Sequence, residues 1–405
     1  MRVIYVTARL PHGAGEPFLI TEIAALERRG CEVTMIPMRP KGPLVHGDVL
    51  RLRSKAVSLP LLSGVILRAT FAETARAPAT VARAVLSLRA SRSPRILLKN
   101  LAVVPKALWL ARQARRLEAD HVHAHWASTS GTVAMLAGEV ARIPWSLTAH
   151  RWDIAEDNLL RLKARRACFV RAISEHGADE LRGLVGDPAW SPWVLHMGVR
   201  LPAARGTDSA FDPPLRVLTG AKLVEKKGHV HLIEAVRILK ERGVQVRVDL
   251  AGDGPLGPAL RSRVADLDLE EEIVFLGGVA HDELLSGMAD GRWHAAVLPS
   301  VVTASGQLEG IPVSLIEALA HGLPAVGTEA GGTPELLGGG AGLLVAPGDP
   351  EAIADALARL VDDRALRAEL ADRGRKRVEE EFSADRVAAA LHERFRECGA
   401  DRSPS

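Results

Sequence analysis

Tyrosine occurs once in this chain of 405 residues, and cysteine only three times, as Cys31, Cys168 and Cys398. Three widely spaced cysteines give neither a disulfide framework nor a four-ligand zinc site, so a reducing cytoplasm is the expected compartment. Long apolar runs are missing too. The longest near the start, LPLLSGVIL at 59–67, falls far short of the roughly 18–20 residues that span a bilayer. The opening MRVIYVTARL reads as a first strand rather than a secretory leader. Aromatic residues make up only 4% of the chain, which leaves little material for base stacking, and no nucleic-acid signature is present. Acid is nearly missing from 51–116, where 14 Lys or Arg face Glu73 alone; with the chain at +3 overall, that segment carries +13 and the remainder −10. Its basic residues alternate with Leu, Val, Ile, Ala and Trp109 at approximately helical spacing. Such a pattern can lay an amphipathic face on an anionic membrane surface, or simply form arginine-rich solvated helices.

What is present is a globular composition, 47% hydrophobic and 25% charged, in a chain long enough for two domains. In the first half RVIYVTA (2–8), a helix through 20–30 and CEVTMIPM (31–38) follow one another, and strand, helix, strand in that order implies a parallel sheet. HVHAHW (121–126), a helix near 129–141, WSLTAH (145–150), a helix near 156–166, ACFVRAIS (167–174) and WVLHMG (193–198) continue it. The aperiodic LPAARGTDSAFDPP (201–214) reads as a linker. From Leu215 the alternation begins again. The expectation is an α/β protein of two Rossmann-like, doubly wound parallel-sheet domains, 1–200 and 215–380. A terminal helical segment, 381–405, is expected to pack back on the first domain. Such domains bind ligands at the carboxyl ends of their strands, here in a crevice between the two.

Residues 309–324, EGIPVSLIEALAHGLP, place two carboxylates at the edges of an apolar stretch. Pro312 suits a first helical position, and Gly322 and Pro324 suit a stop, so the helix is expected over about 312–321. Glu309 then precedes it and Glu317 lies within it, too far apart for a side-by-side dyad. Free backbone N–H groups at Ile311 to Leu315, Val313 among them and Pro312 lacking one, offer phosphate oxygens a cradle with the helix dipole, and Gly310, Ile311, Pro312 and Val313 are donor-site candidates. Lys222 and Lys227, in GAKLVEKKG, can neutralise a diphosphate without a metal. GDGP at 252–255, with Gly254, is too short for a dinucleotide fingerprint and is otherwise a plain strand-to-helix turn. His121, His123 and His125 share one strand face; spread along an extended strand with no adjoining acid or thiol, they make a poor metal site. No metal or other cofactor is expected.

The second half, from GAKLVEKKG through AGDGP, FLGGV and LPS to EGIPVSLIEALAHGLPAVGTEAGGTPELL and GLLVAPGD, resembles the nucleotide-sugar domain of family-4 retaining glycosyltransferases of GT-B fold. The first half, with GEPFLITEIAALERRGCEVTM, DHVHAHWAS and IPWSLTAHRWDI, is similar to a bacterial subgroup that builds exopolysaccharides and colanic-acid-like polymers. That resemblance implies a UDP- or GDP-hexose donor and an acceptor that is a lipid-linked saccharide or polysaccharide precursor. A soluble acceptor is the alternative. It assigns Glu309 to the donor sugar hydroxyls, Glu317 to the ribose, Lys227 to the diphosphate and Gly254 to the nucleotide loop. Gly15 would admit the phosphates from the first domain, and His150 would lie near the transferred sugar. His123, His125 and Asp153 are acceptor-side candidates, and Lys222 stands where the family usually has arginine. The implied location is cytoplasmic, with residues 51–116 able to reach the inner face of the cell membrane.

Overall fold

The computed structural model describes residues 1–12, 16–40, 52–60, 63–203 and 213–400, and the chain divides into two compact units. One comprises Met1–Gly198 and Ala384–Ser405, the other Val199–Ser383. Each is built on a six-stranded sheet.

In the first unit β1 (Arg2–Thr7), β2 (Glu32–Pro37), β3 (His121–His125), β4 (Trp145–Ala149), β5 (Val170–Ala172) and β6 (Trp193–Val194) lie in the order β2-β1-β3-β4-β5-β6. All neighbours are parallel; Val3 sits opposite Val33 on one side and His121 on the other. Parallel pairing requires a crossover between strands, and helices supply it on both faces. That double cover explains why β3 and β4 are buried at every position. Helices Val104–Arg116 and Thr129–Ala141 close one face with Trp109, Leu110, Met135 and Leu136. Helix Pro17–Arg28 and the terminal helix Ala384–Ala400 close the other with Leu19, Ile23, Leu391 and Phe395.

In the second unit β7 (Leu215–Gly220), β8 (Val246–Ala251), β9 (Ile273–Gly277), β10 (Ala295–Leu298), β11 (Ala325–Thr328) and β12 (Leu343–Val345) are ordered β12-β11-β10-β7-β8-β9. Winding runs outward from β7 through β8 to β9, then restarts with β10 on the other side of β7. Loops leaving the carboxyl ends of strands at such a reversal diverge and open a crevice. The first sheet has the same reversal between β1 and β3.

Several boundaries differ from the sequence expectation. Helix Pro17–Arg28 begins three residues early, with Pro17 in its first turn. The helix expected over 156–166 is two, Arg151–Glu156 and Leu160–Arg166, because Asp157 and Leu159 both adopt positive φ, which a right-handed helix cannot contain. Strand β12 has only three half-buried residues and leaves no periodic signal. The helix near 312 runs Val313–Ala320, with Pro312 as its cap instead of its first residue. Of the expected linker, residues 204–212 lie outside the described residues.

The basic segment forms helices Gly64–Arg76, Pro78–Ser87, Pro94–Ala102 and Val104–Arg116. Ser63 and Ser93 cap two of them by accepting the Ile66 and Ile96 N–H, and Pro78 and Pro94 suit helix starts. Its one acid, Glu73, is 2% exposed and paired to Arg115 and Arg76. Lys106 is buried as well, with its ammonium on the carbonyls of Pro37, Met38 and Leu59. Outward, Phe71 is 80% and Leu98 69% exposed among arginines. No described helix is long and apolar enough to cross a membrane.

Candidate functional site

In the second unit, β7 ends at Gly220, and the chain turns through Glu225–Lys227 before helix His229–Glu241. Both lysines of that turn reach one carboxylate: Glu309 Oε2 lies 3.1 Å from Lys226 Nζ and 2.8 Å from Lys227 Nζ. Lys226 carries no distinct sequence signal, since successive side chains of a turn usually point apart. Here the Val301 N–H donates to the Lys226 carbonyl at 2.9 Å and fixes the turn against the loop leaving β10. Lys222, by contrast, is exposed and has no ion pair among the described residues. Burial lowers the Lys227 pKa, and Glu309 opposes that by favouring the charged form. Two ammonium groups on one carboxylate leave the cluster net positive.

Helix Val313–Ala320 adds to the field. Its first amides, Val313 and Ser314, have no intrahelical acceptor, and no side chain caps them. The expected row of free amides from Ile311 to Leu315 is shorter than read, because the Leu315 and Ile316 N–H both donate to the Pro312 carbonyl, at 3.1 and 3.2 Å. Gly310 and Ile311 are placed by the loop after β11. Gly331 has φ +62°, and a Cβ there would lie 1.9 Å from the Glu309 carbonyl oxygen. No larger residue fits that backbone approach. Gly254 is likewise fixed by packing, with its would-be Cβ 2.3 Å from the Leu223 carbonyl oxygen. Gly310 has nothing within 4 Å of a Cβ, so no packing contact accounts for it.

Glu317 sits within the same helix and bonds to His281 Nε2 at 2.7 Å. His281 opens helix His281–Ala289, and its pKa is raised, chiefly by the hydrogen bond to Glu317. The two carboxylates therefore have separate partners, and neither forms a dyad with the other.

In the first unit, the histidines of β3 are core residues. His121 and His123 each bond to the Ser146 hydroxyl on β4, at 2.7 and 2.8 Å, and His123 also bonds to Thr148 at 3.0 Å. Burial pushes His121 down to about 3, which keeps it neutral. Both ring nitrogens of His123 are on hydroxyls, and Phe169, Phe395 and Tyr5 surround the ring. Among the described residues no group of three or more His, Cys, Asp or Glu is placed to hold a metal ion.

His125 and His150 differ. Their Nε2 atoms are 2.8 Å apart, so one imidazole donates to the other. Burial lowers His150 to about 3. Trp126 and Phe18 pack on its ring at 4.4 and 5.6 Å. Below them Glu22 accepts from Arg171 Nη1 at 2.6 Å and from the Tyr5 hydroxyl at 3.2 Å, a buried ionic floor under the histidine pair. Asp153 lies beside them, where it accepts the N–H groups of Ala127 and His150. Burial pushes its carboxyl up to about 7. Lys163, lowered by burial to about 7, donates to the carbonyls of Ala127, Ser128 and Asn158 at 2.6, 2.7 and 2.6 Å.

Glu16 belongs to no chemical motif of the sequence. It is 4% exposed, and its carboxylate accepts four N–H groups, from Ala8, Arg9, Leu10 and the Trp126 indole, at 3.0, 2.7, 2.8 and 2.6 Å. An acid directly before a helix-opening proline was the available signal. It holds the loop after β1; Gly15, in that loop, lies outside the described residues.

A protein-family model described as "Glycosyl transferases group 1" matches residues 207–377. An amylovoran biosynthesis glycosyltransferase, AmsK of Erwinia amylovora, is 39% identical over 190 residues, 46% of this chain and 46% of that protein. A putative colanic acid biosynthesis glycosyltransferase, WcaL of Salmonella typhimurium LT2, is 31% identical over 298 residues, 69% of this chain and 71% of its relative. The match thus spans less than half of the Erwinia protein and most of the Salmonella one. Among solved structures, Anabaena Alr3699/HepE in complex with UDP superposes with a TM-score of 0.70 at 18% identity, over 98% of this chain and 100% of that one. The same protein with UDP-glucose gives 0.67 at 19% identity, over 98% and 99%.

Proposed function

The chain belongs to the group 1 glycosyl transferases and has the GT-B fold, and from that premise we propose that it moves a hexose from a UDP- or GDP-hexose to an acceptor hydroxyl with retention of configuration. The acceptor of this reading is a lipid-linked saccharide or polysaccharide precursor. One observation carries it: Lys226 and Lys227 converge on Glu309 next to the open amides of helix Val313–Ala320. That cluster presents surplus positive charge, and a diphosphate leaving group is the chemistry that uses it. The UDP and UDP-glucose of the Anabaena protein are ligands of this class.

In the proposed reaction the bond from the anomeric carbon to the phosphate oxygen breaks while the acceptor oxygen attacks from the same face. The acceptor proton passes to the departing phosphate oxygen, which leaves a glycoside and a nucleoside diphosphate. Lys226, Lys227 and the N–H groups of Gly310, Ile311, Val313 and Ser314 stabilise the charge that develops on the diphosphate, with Lys222 as an added point charge. Glu309 orients the sugar hydroxyls and Glu317 the ribose diol. His150 contacts the transferred sugar. No metal takes part in this scheme. In this reading the basic helices, with Phe71 and Leu98 among their exposed residues, attach the protein to the cytoplasmic face of an anionic membrane. Flotation with acidic vesicles tests that, and equal recovery with neutral vesicles rejects the charge-based attachment.

Thermal stabilisation by UDP, GDP, ADP and their hexose conjugates, with EDTA present, tests the donor. A selective rise in melting temperature supports the assignment, followed by product anomer determination by NMR. An isomerised sugar nucleotide formed without acceptor would indicate an epimerase, and binding without turnover a sugar-nucleotide binder.

A further inference from the structure

Two tryptophans from the two polysaccharide-subgroup motifs, HVHAHWAS and TAHRWDI, line one concavity of the first unit. The pocket is about 440 Å³ and is bounded by Trp126, Ser128, Trp152, Asp153, Ala155 and Glu156. Trp152 is 68% exposed and lines the concavity together with two acidic residues, Asp153 and Glu156. A lone exposed aromatic needs no explanation; one at the lip of a polar concavity does.

Three further observations bear on that wall. Trp126 has φ +154°, a backbone region that side chains rarely occupy, and its indole N–H is tied to buried Glu16. Strain of this kind persists where the surroundings enforce it and concentrates at ligand sites. Asp153 uses Oδ2 on two backbone amides, while Oδ1 is buried with no hydrogen-bond partner among the described residues. Glu156 is held by Lys99 through Oε1, at 2.6 Å, which fixes the carboxylate at the rim.

We propose that this concavity is a subsite for a pyranose unit of the acceptor, stacked on Trp152 and gripped through its hydroxyls by Asp153, Glu156 and Ser128. A pyranose presents an apolar C–H face and a rim of vicinal hydroxyls. An indole matches the first, and carboxylate oxygens match the second. The acidic lining disfavours phosphate, and the polar rim disfavours an acyl chain. The spare Asp153 oxygen gains a partner it otherwise lacks. This subsite rests on the glycosyl-transfer reading.

The test uses the full chain with Trp152→Ala, Trp152→Phe and Glu156→Gln on an array of hexose-containing oligosaccharides, each variant first checked for its melting transition. The parent is expected to bind a subset of the array. Trp152→Ala should lose roughly tenfold in affinity, a stacking-sized effect, and Trp152→Phe should recover part of it. Glu156→Gln should change which sugars bind. If Trp152→Ala fails to fold, the Phe and Gln variants decide the question. A parent that binds no saccharide, or variants that bind as the parent does, overturns the subsite. Nucleotide-sugar stabilisation, read on the same samples, reports separately on glycosyl transfer.

Discussion

The lysine pair Lys226 and Lys227 and the carboxylate of Glu309 give opposite expectations for diphosphate binding, although they lie only a few ångströms apart. Each lysine adds positive charge to the cluster and Glu309 subtracts it. Lys227→Ala should therefore lower turnover by about a hundredfold, within the range for loss of one electrostatic stabiliser, and weaken nucleoside diphosphate binding in calorimetry. Lys226→Ala should act in the same direction. Glu309→Ala should lower turnover as well, yet bind the free diphosphate at least as tightly as the parent, because it removes only the negative member. Weaker diphosphate binding in that variant would contradict the charge balance. His281 gives a second residue-scale expectation. Its pKa is raised above 6.5 by the hydrogen bond to Glu317. The stability it contributes is complete below the unfolded pKa and is lost as pH rises through the folded one. An NMR titration of His281 should show a midpoint above 6.5 in the parent that falls in Glu317→Gln.

At the scale of elements, the site depends on loops that interlock at strand ends. The loop after β11 lies directly on the backbone of Glu309, with Gly332 N–H 3.4 Å from its carbonyl oxygen and Gly331 in a left-handed conformation. Gly331→Ala must displace one of the two backbones and adds strain of about 1–3 kcal/mol. The expected outcome is a clear loss of turnover with a lowered melting temperature, measured on the same preparation. In the first sheet the Glu22–Arg171 pair ties helix Pro17–Arg28 to β5. Arg171→Met leaves Glu22 buried without its cation and should cost about 3–5 kcal/mol in urea unfolding. Adding Glu22→Gln should return part of that. Neither partner is legible as such in sequence, since 149 residues separate them.

The whole molecule is discontinuous in sequence: the chain leaves the first unit after Gly198 and returns at Ala384. Val387, Leu391 and Phe395 of the returning helix are buried in the core of the first sheet, and each is worth about 1.5–3 kcal/mol. A chain ending at Ser383 should therefore lose the unfolding transition of the first unit in calorimetry while the second unit keeps its own. Two unchanged transitions would show that the terminal helix is dispensable.

By itself the sequence determined the layering and the helix that follows Glu309. Alternating apolar runs and helical patterns have a local cause, the pleat and the helical turn, and so the strands around 2–8, 121–126 and 215–221 and the helix after Glu309 could be read directly. Glu309, Glu317 and Lys227 are singled out by position, around that helix and in the turn after the first strand of the second unit, and the roles proposed for them come from the family resemblance. Tertiary structure alone decided which neighbours those residues meet. Lys226 joins Glu309 because Val301 holds its turn, His123 is enclosed because β4 supplies two hydroxyls, Glu16 accepts the Trp126 indole N–H from 110 residues away, and Asp153 accepts the Ala127 N–H from 26 residues away. Such partnerships are set by the three-dimensional meeting of loops, which no periodicity along the chain encodes.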